Sequence, residues 1–109
     1  MDKTIKVVNL EKYKETKKVL NRHKNSKNFS CGFVMLRKNE TVPEHSTENK
    51  EEIIIVLQGK AKLVVDGKKS KTLYANSLAY IPPNVKHFVT NRNSKLLKYL
   101  YITVPCYNS

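Results

Sequence analysis

Short apolar runs separated by turn residues dominate the chain from residue 31 to residue 104. Seven runs rich in β-branched, aromatic and aliphatic residues can be distinguished: CGFVMLR (31–37), EIIIVLQ (52–58), KAKLVVD (60–66), KTLYA (71–75), SLAYIP (77–82), KHFVTN (86–91) and LLKYLYITV (96–104). Gly, Pro, Asn, Asp and Ser lie between them, and Asp66-Gly67 is typical of a tight hairpin. Strands repeating about every 8 to 12 residues predict an all-β antiparallel sandwich or barrel.

The pattern is weaker near the start of the chain. Residues 4–8, TIKVV, favour a first edge strand, whereas residues 10–24 favour a short helix or a loop. The stripe behind the helical prediction is only half apolar and consists of Leu10, Tyr13, Lys17, Leu20 and Lys24. With 109 residues the chain suits one domain. We therefore expect a basic extension (1–28) packed on a barrel domain (29–109).

The charge of the chain is strongly positive, with a formal net charge of +12. Residues 1–30 hold nine Lys or Arg against three acids, yet they show no helix-turn-helix pattern, zinc-finger spacing or run of stacking aromatics. A solvated basic face is the simpler interpretation, and nucleic acid is not the expected partner. No apolar run approaches the roughly 20 residues of a membrane span, and no signal peptide is evident. A cytoplasmic protein is predicted, with Cys31 and Cys106 as buried reduced thiols.

Two of the three histidines stand out. His23 lies among bases and amides, which predicts a surface position. His45 shortly precedes Glu51 and Glu52, and these acids stand against the apolar strand IIIVL. A carboxylate there needs a partner or a cation if it faces the core, and alternation allows only one of the two to face inward. After the Pro82-Pro83 turn, His87 shares a strand face with two valines, which predicts an inward position.

These two segments together resemble the cupin superfamily. The first family motif reads Gly, five residues, His-x-His, three or four residues, Glu, six residues, Gly; here the key positions are Asn39, His45, Thr47, Glu52 and Gly59. The second reads Gly, five residues, Pro-x-Gly, two residues, His, three residues, Asn; here they are Asn76, Pro82, Asn84, His87 and Asn91. Every spacing fits. Asn replaces both glycines of the second motif, and Asn tolerates positive φ better than most residues.

The resemblance implies a single-domain double-stranded β-helix, or jelly-roll barrel, with a metal in its mouth. The implied ligands are His45, Glu52 and His87, with Glu51 as the alternative acid. Such a set suits a divalent ion of iron, zinc, manganese, nickel or copper. Thr47 replaces the second family histidine and is expected at most to hydrogen-bond a bound water. A thiolate such as that of Cys106 is a minor alternative ligand.

The function that this site implies has two alternatives. The first is a metal-dependent enzyme of the oxygenase, isomerase or lyase type, acting on a small organic acid or a sugar-like substrate. The second is a non-catalytic barrel that binds or senses a small molecule through a degenerate site. The resemblance also implies a homodimer formed through the sheets and residues 4–8. The aromatic residues Tyr80, Phe88, Tyr99 and Tyr101 are expected in the core or the pocket wall.

Overall fold

The computed structural model describes residues 5–106. Within that range a 3₁₀ turn (Leu10–Lys12) precedes nine strands. They are β1 (Lys17–Leu20), β2 (Ser30–Leu36), β3 (Thr41–Ser46), β4 (Lys50–Gln58), β5 (Lys60–Val65), β6 (Lys69–Tyr74), β7 (Leu78–Ile81), β8 (Lys86–Thr90) and β9 (Leu97–Pro105). No helix among these residues is long and apolar enough to cross a membrane.

The strands form two antiparallel sheets that pack face to face. One sheet has five strands in the order β1-β2-β9-β4-β7, and the other has four in the order β3-β8-β5-β6. From β2 onward the chain passes to the other sheet after every strand except β5, whose hairpin partner is β6, and so it winds as a double-stranded β-helix. The all-β antiparallel fold is confirmed, and each of the seven apolar runs forms a strand.

The core lies between the sheets and follows the alternation of the strands. Ile54 and Val56 of β4 meet Leu63 of β5, Val89 of β8 and Leu97 of β9, all at most 3% exposed. Burial of such side chains stabilises the fold by about 1.5–3 kcal/mol each. Inward residues therefore alternate with outward ones, and this alternation decides which polar side chains enter the barrel.

The turns use the residues that the sequence supplies for them. Asp66 and Gly67 have φ of 52° and 68°, as the predicted β5–β6 hairpin requires. Asn76 and Asn84 have φ of 69° and 62°, so the prediction that asparagine takes over the two glycine positions is confirmed. Asn39 has φ of 67° as well. Asparagine adopts this left-handed region at low cost because its short polar side chain can hydrogen-bond locally.

The prediction of a short helix or a loop for residues 10–24 holds only in part, because it missed strand β1. Only Leu10–Lys12 forms a 3₁₀ turn, and Lys17–Leu20 forms β1, which pairs with the open edge of β2. The backbone groups of that edge would otherwise lack partners, and pairing outweighs a helical stripe that is only half apolar. The predicted edge strand at residues 4–8 is wrong for residues 5–8, which lie outside any strand, and residue 4 lies outside the described range. The division of the chain at residue 28 stays a prediction.

Two strands, β1 and β3, were not among the predicted runs. β3 is polar and contains Pro43, which lacks the backbone N–H that a central strand needs. It lies at the edge of the four-stranded sheet, where a proline is tolerated. This edge strand carries His45.

Candidate metal centre

Two neighbouring strands of the four-stranded sheet bring His45 and His87 together. The two residues are cross-strand partners in the β3–β8 pair, and their ring centroids lie 4.3 Å apart. A register shift between Val42 and His45 marks a bulge in β3. Bulges re-aim the side chains beside them, and this one precedes His45 directly.

The acid comes from the other sheet. Glu52 shares the inward face of β4 with Ile54 and is only 4% exposed. Glu51 points to the opposite face, is exposed, and accepts a hydrogen bond from the Tyr80 hydroxyl at 2.5 Å. The structure therefore places Glu52, not Glu51, with the two histidines. His23 is exposed, as predicted.

The hydrogen bonds of the two rings direct their Nε2 atoms to the same carboxylate. Nδ1 of His45 lies 3.2 Å from the Pro43 carbonyl oxygen, and Nδ1 of His87 lies 3.2 Å from the Val85 carbonyl oxygen. Since a carbonyl only accepts, each Nδ1 carries the proton, and each neutral ring has a lone pair on Nε2. These Nε2 atoms lie 3.6 Å (His45) and 3.1 Å (His87) from Oε1 of Glu52.

This convergence calls for a positive charge. Two lone pairs and a carboxylate oxygen meet at one point, and they attract one another only through a proton or a metal cation. His87 is fully buried, and burial by itself lowers its pKa. The hydrogen bond to Glu52, the charge of that carboxylate and the Val85 carbonyl outweigh burial and raise the pKa of His87 above its ordinary value. A proton and a metal ion therefore compete for the same atoms.

The spacing of the donor atoms fits a metal ion. One ligand atom from each of His45, Glu52 and His87 lies within 4.8 Å of the others. Ligands bound at about 2.1 Å with angles between the octahedral and tetrahedral values are separated by about 3.0–3.4 Å. The measured 3.1 and 3.6 Å need only small adjustments. Two imidazoles and a carboxylate also suit the metals that prefer nitrogen and oxygen ligands.

Thr47, at the second histidine position of the motif, has a structural role. Its hydroxyl donates to the Pro82 carbonyl at 2.8 Å and accepts from the Val85 N–H at 3.0 Å. The side chain is 4% exposed, so these two bonds tie β3 to the Pro82-Pro83 turn. Because its one proton goes to Pro82, Thr47 has only its second lone pair left to accept a hydrogen bond from a metal-bound water, and that expected bond stays a prediction.

A cavity of about 340 Å³ adjoins His45 and Glu52. Its remaining wall is mostly apolar or uncharged and consists of Thr16, Val34, Val42, Tyr99, Tyr101 and Thr103. Burial is the largest cause, and the charge of Glu52 a further one, of the raised pKa of Tyr99 and of Tyr101, so both phenols stay neutral. None of the described residues that line the cavity is Lys or Arg.

The extension before the barrel contributes Thr16 to this cavity, which the sequence did not indicate. The Thr16 hydroxyl accepts from the Met35 N–H at 3.1 Å and donates to the Met35 carbonyl at 3.3 Å. The N–H and carbonyl of Met35 belong to the part of β2 that extends past the first residue of β1, so β1 does not pair with them. Only the pairing of β1 with β2 brings residue 16 to this place, and no motif marks it.

Other predicted site residues lie elsewhere. Cys106 is exposed and is not part of the His–Glu–His group, so its predicted burial is wrong, while Cys31 is half-buried and burial raises its pKa. Tyr99 is buried and Tyr101 lines the cavity, as expected. Tyr80 is 54% exposed on the outer side of β7, so its predicted place in the core or pocket wall is wrong. Its inward neighbour Ile81 takes the core position instead.

The chain belongs to the cupin family. A family model described as the cupin domain matches residues 32–103, which include His45, Glu52, His87 and every lining residue of the cavity except Thr16. An uncharacterized protein of Methanocaldococcus jannaschii is 24% identical over 88 residues, covering 81% of this chain and 75% of the relative. That protein has been solved as an RmlC-like cupin family protein with a double-stranded β-helix fold. Its structure superposes with a TM-score of 0.76 at 22% identity, covering 96% of this chain and 92% of the other.

Two further structures show the same fold at lower identity. The cupin domain of Schizosaccharomyces pombe Cnp3 has a TM-score of 0.72 at 13% identity, covering 83% of this chain and 63% of the other. A cupin-superfamily sugar phosphate isomerase from Silicibacter pomeroyi has a TM-score of 0.64 at 19% identity, covering 72% and 52%. This chain thus spans about half of the isomerase. At these identities the likeness concerns the fold.

Proposed function

We propose that this protein binds one divalent metal ion through His45, Glu52 and His87, and that the ion holds a small oxygen-bearing molecule in the adjoining cavity. The observation that carries the proposal is the convergence of both Nε2 lone pairs on Glu52 Oε1. Three protein ligands leave coordination positions open, as in catalytic metal sites. The bound ion would act as a Lewis acid on a substrate oxygen.

The residues of the chain suggest how such a molecule would be held. The exposed side of His45 and the carboxylate of Glu52 face the cavity, whereas His87 is enclosed. Val34 and Val42 exclude water from one side, and the neutral phenols of Tyr99 and Tyr101 form another. We infer a substrate such as a small organic acid or a sugar-like molecule, transformed by an oxygenase, isomerase or lyase type of reaction.

The sugar phosphate isomerase among the similar structures agrees with a sugar-like substrate but not with a phosphate in this cavity. A phosphate group is normally met by Arg or Lys side chains or by backbone N–H groups at a helix start. The described lining residues include neither cation. In this cavity the proposed metal ion would be the one cation among the described groups to meet a phosphate, so we favour a small substrate without one.

A non-catalytic binding or sensing barrel is the second candidate, and Thr47 favours it. Thr47 stands where the family motif has a histidine, and its hydroxyl is hydrogen-bonded to Pro82 and Val85. The site therefore has one ligand fewer than the full family pattern. Such a barrel would use the same three polar residues to hold a ligand without turnover.

Metal content separates the two candidates. Protein purified without a metal-affinity tag should contain close to one equivalent of iron, zinc, manganese, nickel or copper by inductively coupled plasma mass spectrometry. The identity of the ion would then select the chemistry to assay. Protein that holds no metal, even after incubation with each of these ions and desalting, would refute the metal proposal and leave the binding barrel.

We also propose a homodimer, and the outer face of the five-stranded sheet supports it. Strand register places apolar side chains side by side on this face, in two rows of neighbours: Ile55 with Leu100 and Leu78, and Ile53 with Ile102 and Tyr80. Leu78 and Tyr80 are 60% and 54% exposed. Contiguous exposed apolar surface of this kind marks an interaction site.

The ends of this face carry opposite charges, which suits a second copy of the chain. Glu51 lies at one end of the β4–β9 pair, beside Val104, and Lys98 lies at the other, beside Gln58. A two-fold axis running across the strands would place Glu51 of each copy opposite Lys98 of its mate. The same surface patch then serves both subunits, as a two-fold interface requires.

The double variant Leu78→Lys/Tyr80→Lys is expected to convert the dimer to a monomer. Four cations would be buried at one interface without partners, which costs several kcal/mol. Sedimentation velocity measures the change, and Tyr74→Lys, at an aromatic residue that is 59% exposed on the other sheet, is the matched control. A double variant that sediments as a dimer, like Tyr74→Lys, would contradict the proposed interface.

Removal of residues 1–10, where Ile5 and Val7 are 86% and 90% exposed, is expected to weaken the dimer as well. A cytoplasmic location stays a prediction.

A further inference from the structure

A basic groove lies at the end of the barrel away from the metal centre. Two adjoining cavities of about 230 and 700 Å³ share Lys60, Tyr74 and Asn93. They border the β4–β5 turn, the end of β6 and the loop that follows β8. Glu52 and Gln58 are six residues apart on β4, which is about 20 Å along the strand. The groove is therefore separate from the site formed by Glu52 and the histidines.

The loop that closes this groove is held in place by a buried amide. Asn91 is fully buried, and its Nδ2 donates to the carbonyls of Leu36 and Lys95, both at 2.9 Å. Its Oδ1 accepts from the Asn93 N–H at 2.9 Å. These bonds shape residues 91–95, so Arg92 and Lys95 are presented by a supported loop. Asn91 closes the second family motif, and the metal centre does not use it.

A close backbone contact holds the other side of the groove. Gly59 has φ of 82°, and a Cβ built there would lie 2.5 Å from the Leu96 carbonyl oxygen. Only glycine lets the β4–β5 turn approach the loop this closely. Lys60 follows Gly59 directly, so this contact brings it beside the loop that carries Arg92. Gly59 closes the first family motif and, like Asn91, has no part in the metal centre.

The groove is positive and lacks acidic side chains. Lys60, Lys62 and Arg92 line the smaller cavity, and Lys95 lines the larger one. None of the described residues lining either cavity is Asp or Glu, and none of these four cations forms a salt bridge within residues 5–106. Ser70 and Thr72 add hydroxyl donors. Ammonium, guanidinium and hydroxyl donors together suit the oxygens of a phosphate group.

An aromatic ring lies next to these cations. Tyr74 pairs with Lys60 across the β5–β6 hairpin and is 59% exposed. Exposed aromatic rings beside cations are the feature on which nucleobases stack. A site for single-stranded nucleic acid uses several such rings in a row. Tyr74 is the one aromatic among the described residues that line this groove. The groove therefore suits a ligand with one base and one phosphate better than it suits single-stranded nucleic acid.

We propose that the groove formed by Lys60, Lys62, Tyr74 and Arg92 binds a phosphorylated small molecule that carries a planar ring, of the nucleoside monophosphate class. Its phosphate meets the cations and hydroxyls of the smaller cavity, and its ring packs on Tyr74. The site is independent of the metal centre. A phosphate site explains why these cations lie together in the groove, since they take no part in the core or in the metal centre.

Isothermal titration calorimetry at low ionic strength tests the proposal with adenosine 5′-monophosphate, adenosine and inorganic phosphate as probes. The monophosphate is expected to bind at one site per chain, and adenosine about tenfold more weakly because it lacks the charged group. Lys60→Gln and Arg92→Gln should each weaken binding about tenfold. Tyr74→Leu should weaken the monophosphate at least about fivefold and leave inorganic phosphate unchanged.

Three controls keep the result interpretable. Lys71→Gln removes an exposed cation from β6 that does not line the groove, and it should leave binding unchanged. His87→Ala should also bind the monophosphate normally, because an effect there would place the ligand at the metal centre. Thermal melting of each variant shows that it is folded.

The proposal is overturned by any of four results. These are no binding of the monophosphate or phosphate, equal binding of adenosine and the monophosphate, equal loss from Lys71→Gln and Lys60→Gln, and loss on His87→Ala. A fifth test uses oligoadenylates of increasing length. If affinity per chain rises steeply with length and falls steeply with salt, the partner is single-stranded nucleic acid, and the small-molecule proposal fails.

Discussion

His87→Ala is expected to lower the affinity of the protein for the proposed metal ion by more than about 100-fold while the barrel stays folded. Loss of an outer-shell partner alone costs about 10- to 100-fold in metal sites, and His87 would itself be a ligand. Its Nε2 lies 3.1 Å from Glu52, and its ring is fully buried, so no water-filled space offers a replacement donor of equal strength. Metal content by mass spectrometry after dialysis against a weak chelator measures the loss.

Matched variants distinguish loss of a ligand from loss of structure. Glu52→Gln preserves shape and removes only the charge of the acid, and it should lose metal to a similar extent. His23→Asn removes a histidine from the exposed loop at residues 21–26, where φ of 67° suits asparagine, and it should retain full metal content. Equal metal content in wild type, His87→Ala and Glu52→Gln would exclude these residues as ligands. Melting curves identify any variant that fails to fold.

Gly59→Ala is expected to destabilise the protein by about 3 kcal/mol. Roughly 1 kcal/mol comes from forcing a residue with a Cβ into the left-handed region at φ of 82°. A further contribution of about 2 kcal/mol comes from overpacking, since the new Cβ would lie 2.5 Å from the Leu96 carbonyl oxygen. Backbone cannot rotate away as a side chain does, so the loop at residues 91–96 has to shift.

The hairpin glycine supplies the control for this prediction. Gly67 has φ of 68° but no atom within 4 Å of a built Cβ, so Gly67→Ala carries the conformational cost without the clash. Urea unfolding of both variants should show the larger loss for Gly59→Ala. Equal losses would mean that the approach of Leu96 is not a constraint. Because the shifted loop carries Arg92, Gly59→Ala should also weaken binding of a nucleoside monophosphate, whereas Gly67→Ala should not.

The sequence predicted most of the site because its signals are local. Alternation along β4 allowed one of two adjacent acids to face inward, and the spacing to Gly59 favoured Glu52, which the structure buries beside the histidines. Alternation after the Pro82-Pro83 turn predicted the inward face of His87 in the same way. Asn76 and Asn84 could be assigned to positive φ from residue type. Each inference needed only the two-residue alternation of side chains along a strand or the backbone preference of a single residue type.

The errors came from elements whose structure depends on a partner strand. Residues 17–20 form β1 because the edge of β2 is open for pairing. The sequence around residues 17–20 does not indicate that open edge, because β2 begins ten residues later. The predicted burial of Cys106 and Tyr80 is wrong because Tyr80 lies on the outer side of β7 and Cys106 lies exposed after the end of β9. The role of Thr47 also depended on distant groups, since its two hydrogen bonds reach Pro82 and Val85.

The sequence by itself determined the strand class, the inward faces of β4 and β8, and the identity of the three polar residues that meet in the barrel. Only the tertiary structure decided how the two histidines converge on Glu52, that Thr16 borders the cavity, and that Lys60 and Arg92 share a groove. The physical reason is the range of the interactions. Side-chain alternation and turn preferences act over a few residues, whereas sheet pairing and loop closure join residues that are 30 or more positions apart, such as Glu52 with His87 and Lys60 with Arg92.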